Sequence, residues 1–514
     1  MKAFYLIPLL LFLLSITSHA QSYKARWSEE LKTPRGSLST LSMVGTTSDA
    51  YHIFSSGKKG RTLQSYTWSH RLTNSQPISF DVKNEDQLSL KRFIHTREKT
   101  LGVFIQEDRK TRERHTYVNQ FEADSLTTPQ LIYSSSFAYS DLYAYTSIAG
   151  LRVPQFDRIE TSPDSSLIVF ASQSFNEVVD EEALALTIQT YDEHLSLRWE
   201  TTLDFPYKRN EAGLVRIAIN ELGEVYALMA VDNRIGEPST TGAFLKYRYE
   251  LLKVTPDTTL QLDLELTNTT TIQYADIHLS QGNKPRLVLA GMYTDIDSRG
   301  NLKGAFHLVI DENFSVISKE TTLFSDELIR GVRDNSAADQ SFGLNERFAI
   351  QNFFTLSTGE LGFIAEETFS TEEPRIIEPG TKTLYHTNKL LIVLFSPRGE
   401  VFKEAYVEKD FASTTLAATS FVAQVVDDQL VLIFNDDKTR AERAALQLYG
   451  RYSAIPTDIV ILNKYLRETH RQLLFTNEVV GSKFFLPQLS YTTKDGILLY
   501  TRKDKNYQFG LLRP

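Results

Sequence analysis

The chain has no cysteine among its 514 residues. Disulfides, thiolate nucleophiles, cysteine-ligated metals and lipid attachment at an N-terminal cysteine are therefore excluded. Stability has to come from apolar burial and strand pairing. Methionine is scarce at four residues, whereas Tyr and Phe number 24 and 31. Aromatic side chains suit half-buried pleated surfaces, so this balance favours strands. Charge of one sign is not concentrated either: 55 Lys and Arg stand against 64 Asp and Glu, a formal charge of −9. Without clustered cations there is no footprint for a phosphate backbone, and nucleic acid is not an expected partner. The densest basic run, Arg109, Lys110, Arg112 and Arg114, reads as a charged hairpin tip.

Long hydrophobic runs are lacking, apart from residues 4–16. That run is shorter than the roughly 20 apolar residues a bilayer span needs. Lys2 precedes it and Ser18-His19-Ala20 follows, the arrangement of a secretory signal peptide cleaved after Ala20. The expectation is a signal peptide over 1–20 and a mature chain over 21–514 with no membrane span. Export without disulfides points to a bacterial envelope, periplasmic or secreted.

What the chain does have is repetition. From about Leu38 onward, turn, strand, polar gap and strand recur at a period of roughly 60 residues, as in radial β architectures. The clearest hairpins are Ser162-Pro-Asp-Ser-Ser-Leu-Ile-Val-Phe-Ala-Ser172, Asn220-Glu-Leu-Gly-Glu-Val-Tyr-Ala-Leu-Met-Ala230 and Lys494-Asp-Gly-Ile-Leu-Leu-Tyr-Thr501. Strands of the third unit are expected at 156–162, 167–172, 185–191 and 197–203. Those of the fourth are expected at 215–220, 225–231, 247–255 and 260–266, and of the fifth at 274–279, 286–291, 305–310 and 316–323. Asp, Asn or Pro marks the turn before each outer strand, at 191–193, 255–257 and 310–312, because these residues set φ or bond their own backbone. Units six and seven cover 348–407 and 421–475, and weaker copies cover 38–80 and 88–133. Residues 436–449 carry Ala441, Ala444, Ala445, Leu446 and Leu448 at near-helical spacing after Asp436 and Asp437, which predicts a helical insertion.

The last unit holds only three strands, at 484–490, 496–501 and 507–512. Arg26-Trp27-Ser28-Glu29-Glu30-Leu31 resembles Arg198-Trp199-Glu200-Thr201-Thr202-Leu203, the outer strand of the third unit. An N-terminal strand over 23–31 would then complete the last unit and close the ring, removing open sheet edges. On this rhythm and closure the mature chain resembles the secreted bacterial β-propellers. The fold expected is all-β, one closed β-propeller of eight four-stranded blades, with seven if the first two units are misparsed. The resemblance implies an axial channel, with ligand sites on the face bearing the longer loops.

No catalytic signature accompanies the repeat. There is no Gly-x-Ser-x-Gly, no His-Glu-x-x-His and no P-loop, and the ten His are scattered singly. Asp295-x-Asp297-x-Arg299-Gly300 has Arg299 where a calcium loop needs oxygen, so a surface turn is expected. The acidic pairs Glu366-Glu367, Glu372-Glu373, Asp427-Asp428 and Asp436-Asp437 read as solvated loops, since strand neighbours point to opposite faces. Asp124-Ser125-Leu126 and Asp257-Thr258-Thr259 are similar to a bacterial O-glycosylation acceptor. The longest irregular insertions are expected at 331–345 and 372–388, and Glu372-Glu373-Pro374-Arg375 with Tyr385-His386 makes the second a contact surface.

The inner strands carry the candidate site. Arg92, Arg158 and Arg216 hold similar places in three consecutive units, Asp276 takes that place in the next, and Glu160 and His278 lie two residues on. Such a set could bind a carboxylate, sulfate or phosphate, or its members could satisfy one another across blades. The leading expectation is a monomeric, non-catalytic scaffold that binds a protein or glycan of the envelope, with no metal and no cofactor. The alternatives are a glycan-acting hydrolase or lyase at the channel rim and a sensor of a small anionic ligand.

Overall fold

In the computed structural model the chain is described over residues 23–513, save for 33–39, 47–49, 58–59, 81, 83–87, 109, 112, 123–124, 137–144, 149–150, 155–157, 179–180, 209–210, 233–246, 268–269, 280–285, 296–300, 375–380, 437–455, 477–479, 481–483, 494–495 and 504–505. The expected signal peptide and residues 437–449 of the helical insertion lie outside this set. No helix among the described residues is long and apolar enough to cross a membrane.

Strand alternation builds most of the sheets as antiparallel meanders, and Asx turns close several of their hairpins. Asp192, Asn220, Asp311 and Asn463 each open a turn and accept two backbone N–H groups through Oδ1, from the residues two and four further on. A side-chain acceptor of this kind replaces the backbone partner that a tight turn removes. Six sheets have four strands: Thr40–Ile78, Arg158–Lys208, Ala212–Leu264, Thr270–Leu323, Phe348–Ser413 and Phe421–Thr476 are their limits. The second sheet, beginning at Ser89–His95, adds a fifth strand beside its third. Numbered in chain order, these are sheets one to seven; a separate two-stranded hairpin, Tyr145–Ile148 with Leu151–Pro154, falls between the second and third in sequence and is left out of the numbering.

Sheet eight joins the two ends of the chain. Arg26–Trp27 and Leu31–Lys32 pair antiparallel with Asn506–Leu512, which pairs in turn with Gly496–Lys503. Its expected inner strand at 484–490 is corrected: Phe484–Phe485 and Tyr491–Thr493 are separate strands around the 3-10 turn Pro487–Leu489. Pro487 lacks the N–H a continuous ladder would need there. Two of the expected irregular insertions are also corrected. Within 331–345, Gly331 to Arg333 finish the helix Asp326–Arg333, which is N-capped by Ser325. Within 372–388, the chain continues the hairpin of Leu361–Pro374 with Thr381–Phe395, because paired Thr, Glu, Tyr and His suit a two-sided exposed ribbon.

The core is divided among the sheet junctions. Seven apolar clusters each span two sheets consecutive in sequence, and an eighth joins sheet eight to sheet one through Tyr51, Tyr66, Tyr500, Tyr507 and Phe509, with Phe411 of sheet six beside them. At this seam Tyr51 Oη meets His70 Nδ1 at 2.9 Å, and His70 Nε2 donates to the Arg26 carbonyl at 2.7 Å. Trp27 lies over Gly510, where a Cβ would approach its ring to 2.7 Å, and it meets Phe475 of sheet seven edge-on at 4.7 Å. Trp27→Ala should lower stability by about 2 kcal/mol, less than the roughly 3–5 kcal/mol for a fully buried Trp because this ring is half-buried. Urea midpoints would show it; an unchanged midpoint would mean the N-terminal strand holds nothing together.

First strands of successive sheets contact one another in sheets three to seven, so they sit at the centre, while fourth strands such as Leu197–Lys208 and Val316–Leu323 are largely exposed. Antiparallel alternation puts the turns after first and third strands at one end. Those turns are mostly short, as at 162–166, 220–224, 356–360 and 463–467. The connections after second and fourth strands start from the other end, and the longest fully described one is 324–347.

Candidate functional site

Two cavities lie along the first strands. The larger, ≈ 680 Å³, is fronted by Arg158, Val215, Arg216 and Tyr274 to Asp276, and beyond them by Glu366, Phe369, Tyr385 and His386. The last three belong to the part of the sheet-six hairpin that runs past its first strand on the long-loop side. The smaller, ≈ 350 Å³, is lined by later residues of the same strands, among them Glu160, Ile217, His278, Asn352 and Phe353. Arg216, Asp276 and Gln351 line both, so they form the waist between the two.

A repeated irregularity aims these side chains. The first strands of sheets one, two, four, five and six each contain one unmatched residue, namely Val44, Lys91, Val215, Gln273 and Gln351. Bulges of this kind turn a strand and redirect the residues beside them. Arg92, Arg216 and Asn352 directly follow a bulge. Counted back from the hairpin ends His95, Thr161, Ile219, Leu279 and Thr355, the residues Arg92, Arg158, Arg216, Asp276 and Asn352 occupy one level.

At that level the guanidinium groups engage the next sheet. Arg216 Nε donates to Asp276 Oδ2 at 2.8 Å. Arg92 donates to the Ile159 carbonyl and stands 3.8 Å from Glu160 Oε2. Arg158 donates to the Leu214 carbonyl at 3.5 Å. Burial pushes the Asp276 carboxyl above the ordinary carboxylate range, against the pull of Arg216, the Ile277 N–H and Arg158. Enclosure raises Glu160 likewise, against Arg92, Arg216 and Arg158, with Asp276 adding to the rise. His278 stands apart from these pairs: it stacks on Phe353 at 6.3 Å, and burial lowers its pKa. The structure thus brings Arg92, Arg158, Glu160, Arg216 and Asp276 into one group, of which Arg216 and Asp276 stand at the waist.

Several cavity residues were not marked by the sequence. The side chains of Gln351, Ser370, Tyr385 and Gln488 line the larger cavity and bond to no other described residue. Tyr274 Oη donates to the Glu346 carbonyl at 2.8 Å, which fixes one wall. Phe369 is sandwiched between the Arg347 guanidinium at 4.5 Å and the His386 ring, coplanar within 3° at 4.5 Å.

The expectation of a solvated loop at Glu366-Glu367 is overturned. Glu366 is buried at 1% exposure and accepts from Lys409 Nζ, which also donates to the Ser420 carbonyl at 2.8 Å. A strand neighbour of a buried glutamate normally faces the other way, but a register shift between Glu366 and Glu367 leaves both buried. Asp436 is buried as well, held by the Asp410 N–H and Arg471. Asp427 and Asp428 form an exposed turn, as does Thr255 to Thr258, while Asp124 and 296–300 lie outside the described residues. Glu98, Glu193 and His194 bring ligand atoms within 4.8 Å of one another on the turns of sheets two and three, and none of them lines either cavity.

No protein-family model matches the chain, and no curated protein is similar to it in sequence. Solved structures similar in fold include the polysaccharide lyase Uly1, at 9% identity over 95% of this chain and 99% of that one, with a TM-score of 0.40. Prolyl oligopeptidase B from Galerina marginata is similar at 11% identity over 90% of this chain, which spans 54% of that chain, with a TM-score of 0.39. The alpha-L-arabinanase of Penicillium chrysogenum is similar at 8% identity over 67% of this chain and 93% of that one, with a TM-score of 0.31. The chain itself is all-β, built of repeated antiparallel sheets.

Proposed function

We propose that the chain is a closed eight-blade β-propeller, exported to the bacterial envelope, whose larger axial cavity binds a glycan. The eight sheets, the apolar seam between sheets eight and one, and the pairing of Arg26–Trp27 with Asn506–Leu512 support closure. Lys2, the apolar run over 4–16, Ser18-His19-Ala20 and the absence of cysteine support export.

The observation that carries the ligand class is the chemistry of the lining. Gln351, Ser370, Tyr385 and Gln488 offer neutral donors and acceptors, while Tyr274 and Tyr385 offer rings. A sugar presents many hydroxyls and an apolar ring face, so it satisfies both at once. The cavity volume also falls in the range that encloses a sizeable organic ligand, roughly 300–1,000 Å³. Calorimetry with the mature protein and a panel of defined oligosaccharides is the test. Tight binding to one class, weakened by Tyr385→Ala at least about tenfold if a ring contact and a hydrogen bond are lost together, supports the reading. No heat with any glycan, or binding unaffected by Tyr385→Ala, would overturn it.

A catalytic second reading has one observation in its favour. Asp276 and Glu366, both with carboxyl groups raised by burial, front the same cavity, and glycoside hydrolysis needs two carboxylates on one site. Each is committed to a cation, Asp276 to Arg216 and Glu366 to Lys409, which leaves binding as the first reading. Release of reducing ends or unsaturated product from a bound glycan, lost in Asp276→Asn, would reverse that order.

A further inference from the structure

Resting on the glycan reading, we infer that the larger cavity selects an acidic sugar, with the ligand carboxylate seated on Arg216. Three features of the waist combine to give this. Arg216 lines both cavities and is 39% exposed, so its guanidinium is reachable from either. Its Nε is engaged by Asp276 Oδ2 at 2.8 Å, and its two terminal nitrogens bond to no other described residue. Asp276 is itself fixed, being 8% exposed and accepting the Ile277 N–H at 2.8 Å through its other oxygen.

A guanidinium anchored at Nε keeps its two terminal nitrogens for an end-on, bidentate bond. Carboxylate is the planar oxyanion that matches this fork. Asp276 therefore acts as a positioning residue, orienting Arg216 without touching the ligand.

Sugar acid, rather than a bare anion, follows from the surroundings. The cavity of ≈ 680 Å³ is far larger than a single oxyanion, and the unpartnered amide of Gln351 stands at the same waist. Around a carboxylate seated on Arg216, the sugar hydroxyls would meet Gln351 and the groups on the hairpin above.

Calorimetry with oligogalacturonate, a neutral galactose oligomer of equal length and inorganic phosphate tests the inference. The acidic oligomer should bind at least about tenfold tighter than the neutral one at low salt, the worth of one charge-assisted bidentate contact. The preference should shrink as salt is raised. Arg216→Gln should abolish the preference while keeping the weaker neutral affinity, and Arg216→Lys should recover only part of it, since a point charge lacks the fork. Thermal melts of each variant would separate loss of binding from loss of folding. Equal affinity for acidic and neutral oligomers would overturn the acid selectivity and leave the glycan reading standing. Binding of neither would overturn both. Phosphate binding as tightly as the oligomer would also overturn the inference, by reducing the site to an anion hole.

Discussion

Glu366→Ala should destabilise the protein by about 3–5 kcal/mol, the largest single-residue effect expected in this fold. Lys409 and Glu366 are 0% and 1% exposed, and the pair is the most deeply buried ion pair among the described residues. Burial pushes the glutamate carboxyl up and the lysine ammonium down, and each is held toward its charged form by the other. Removing one partner strands the other in an apolar setting beside the Phe434 ring, 5.8 Å from Nζ. The pair also reaches across sheet six from its second to its fourth strand, and through the Ser420 carbonyl to the approach of sheet seven. Lys409→Met should cost a similar amount. The double variant Glu366→Leu with Lys409→Met should regain most of the loss, because replacing a whole buried pair by apolar groups is often neutral or better. Urea midpoints of the three variants give the cycle. Single variants costing under about 1 kcal/mol would show that the pair is not paying a desolvation cost.

The sheet meander was legible because its signals are local. Asp192, Asn220, Asp311 and Asn463 stand where a side-chain acceptor closes a turn, and the apolar runs Val225–Asp232 and Gln429–Asn435 stand where a strand is covered on both faces. The N-terminal strand was legible from an Arg-Trp match to another outer strand, and Trp27 does pack across a sheet junction. Pro487 is a local signal for the break in the last inner strand, as is Asp326-Glu327 after Ser325 for the short helix.

The site was legible only in part. Arg92, Arg158, Arg216 and Asp276 share one place in their hairpins, so a repeat alignment finds them. Which atoms they meet depends on the bulges at Lys91, Val215, Gln273 and Gln351, and a bulge is a pairing property that one strand's sequence does not display. Glu366 ends the apolar run Leu361 to Ala365 and looks like its solvated edge. Its partner Lys409 is 43 residues away, so the pairing that buries it is a tertiary fact. Gln351 and Gln488 carry no signal at all outside the geometry that faces them into one cavity.

Acidification should weaken the fold from about pH 6.5 downward, and His307 should account for a large share of the loss. The His307 side chain is buried between strands and lies tilted against Phe395 at 5.2 Å, with Gly399 close against its ring. A Cβ at position 399 would come within 2.4 Å of Nδ1, so no solvent-sized gap is left on that side. Burial lowers its pKa from 6.5 to about 4. Between those values the unfolded chain binds a proton that the folded chain refuses, so stability is complete above about pH 6.5 and falls as pH drops toward 4. At roughly 1.36 kcal/mol per unit, the 2.5 units between 6.5 and 4 correspond to about 3 kcal/mol from this residue. His70, His95 and His278 are lowered in the same direction by burial, and His70 holds the seam between Tyr51 and the Arg26 carbonyl. The raised carboxyl groups of Glu160, Asp276 and Glu366 act oppositely, since the folded chain takes up their protons first. A comparison with His307→Gln cancels those terms. The parent should lose about 2 kcal/mol more than the variant between pH 7.5 and pH 5, read from urea midpoints at each pH. Parallel losses in the two proteins would show that His307 takes up its proton as readily in the fold as outside it.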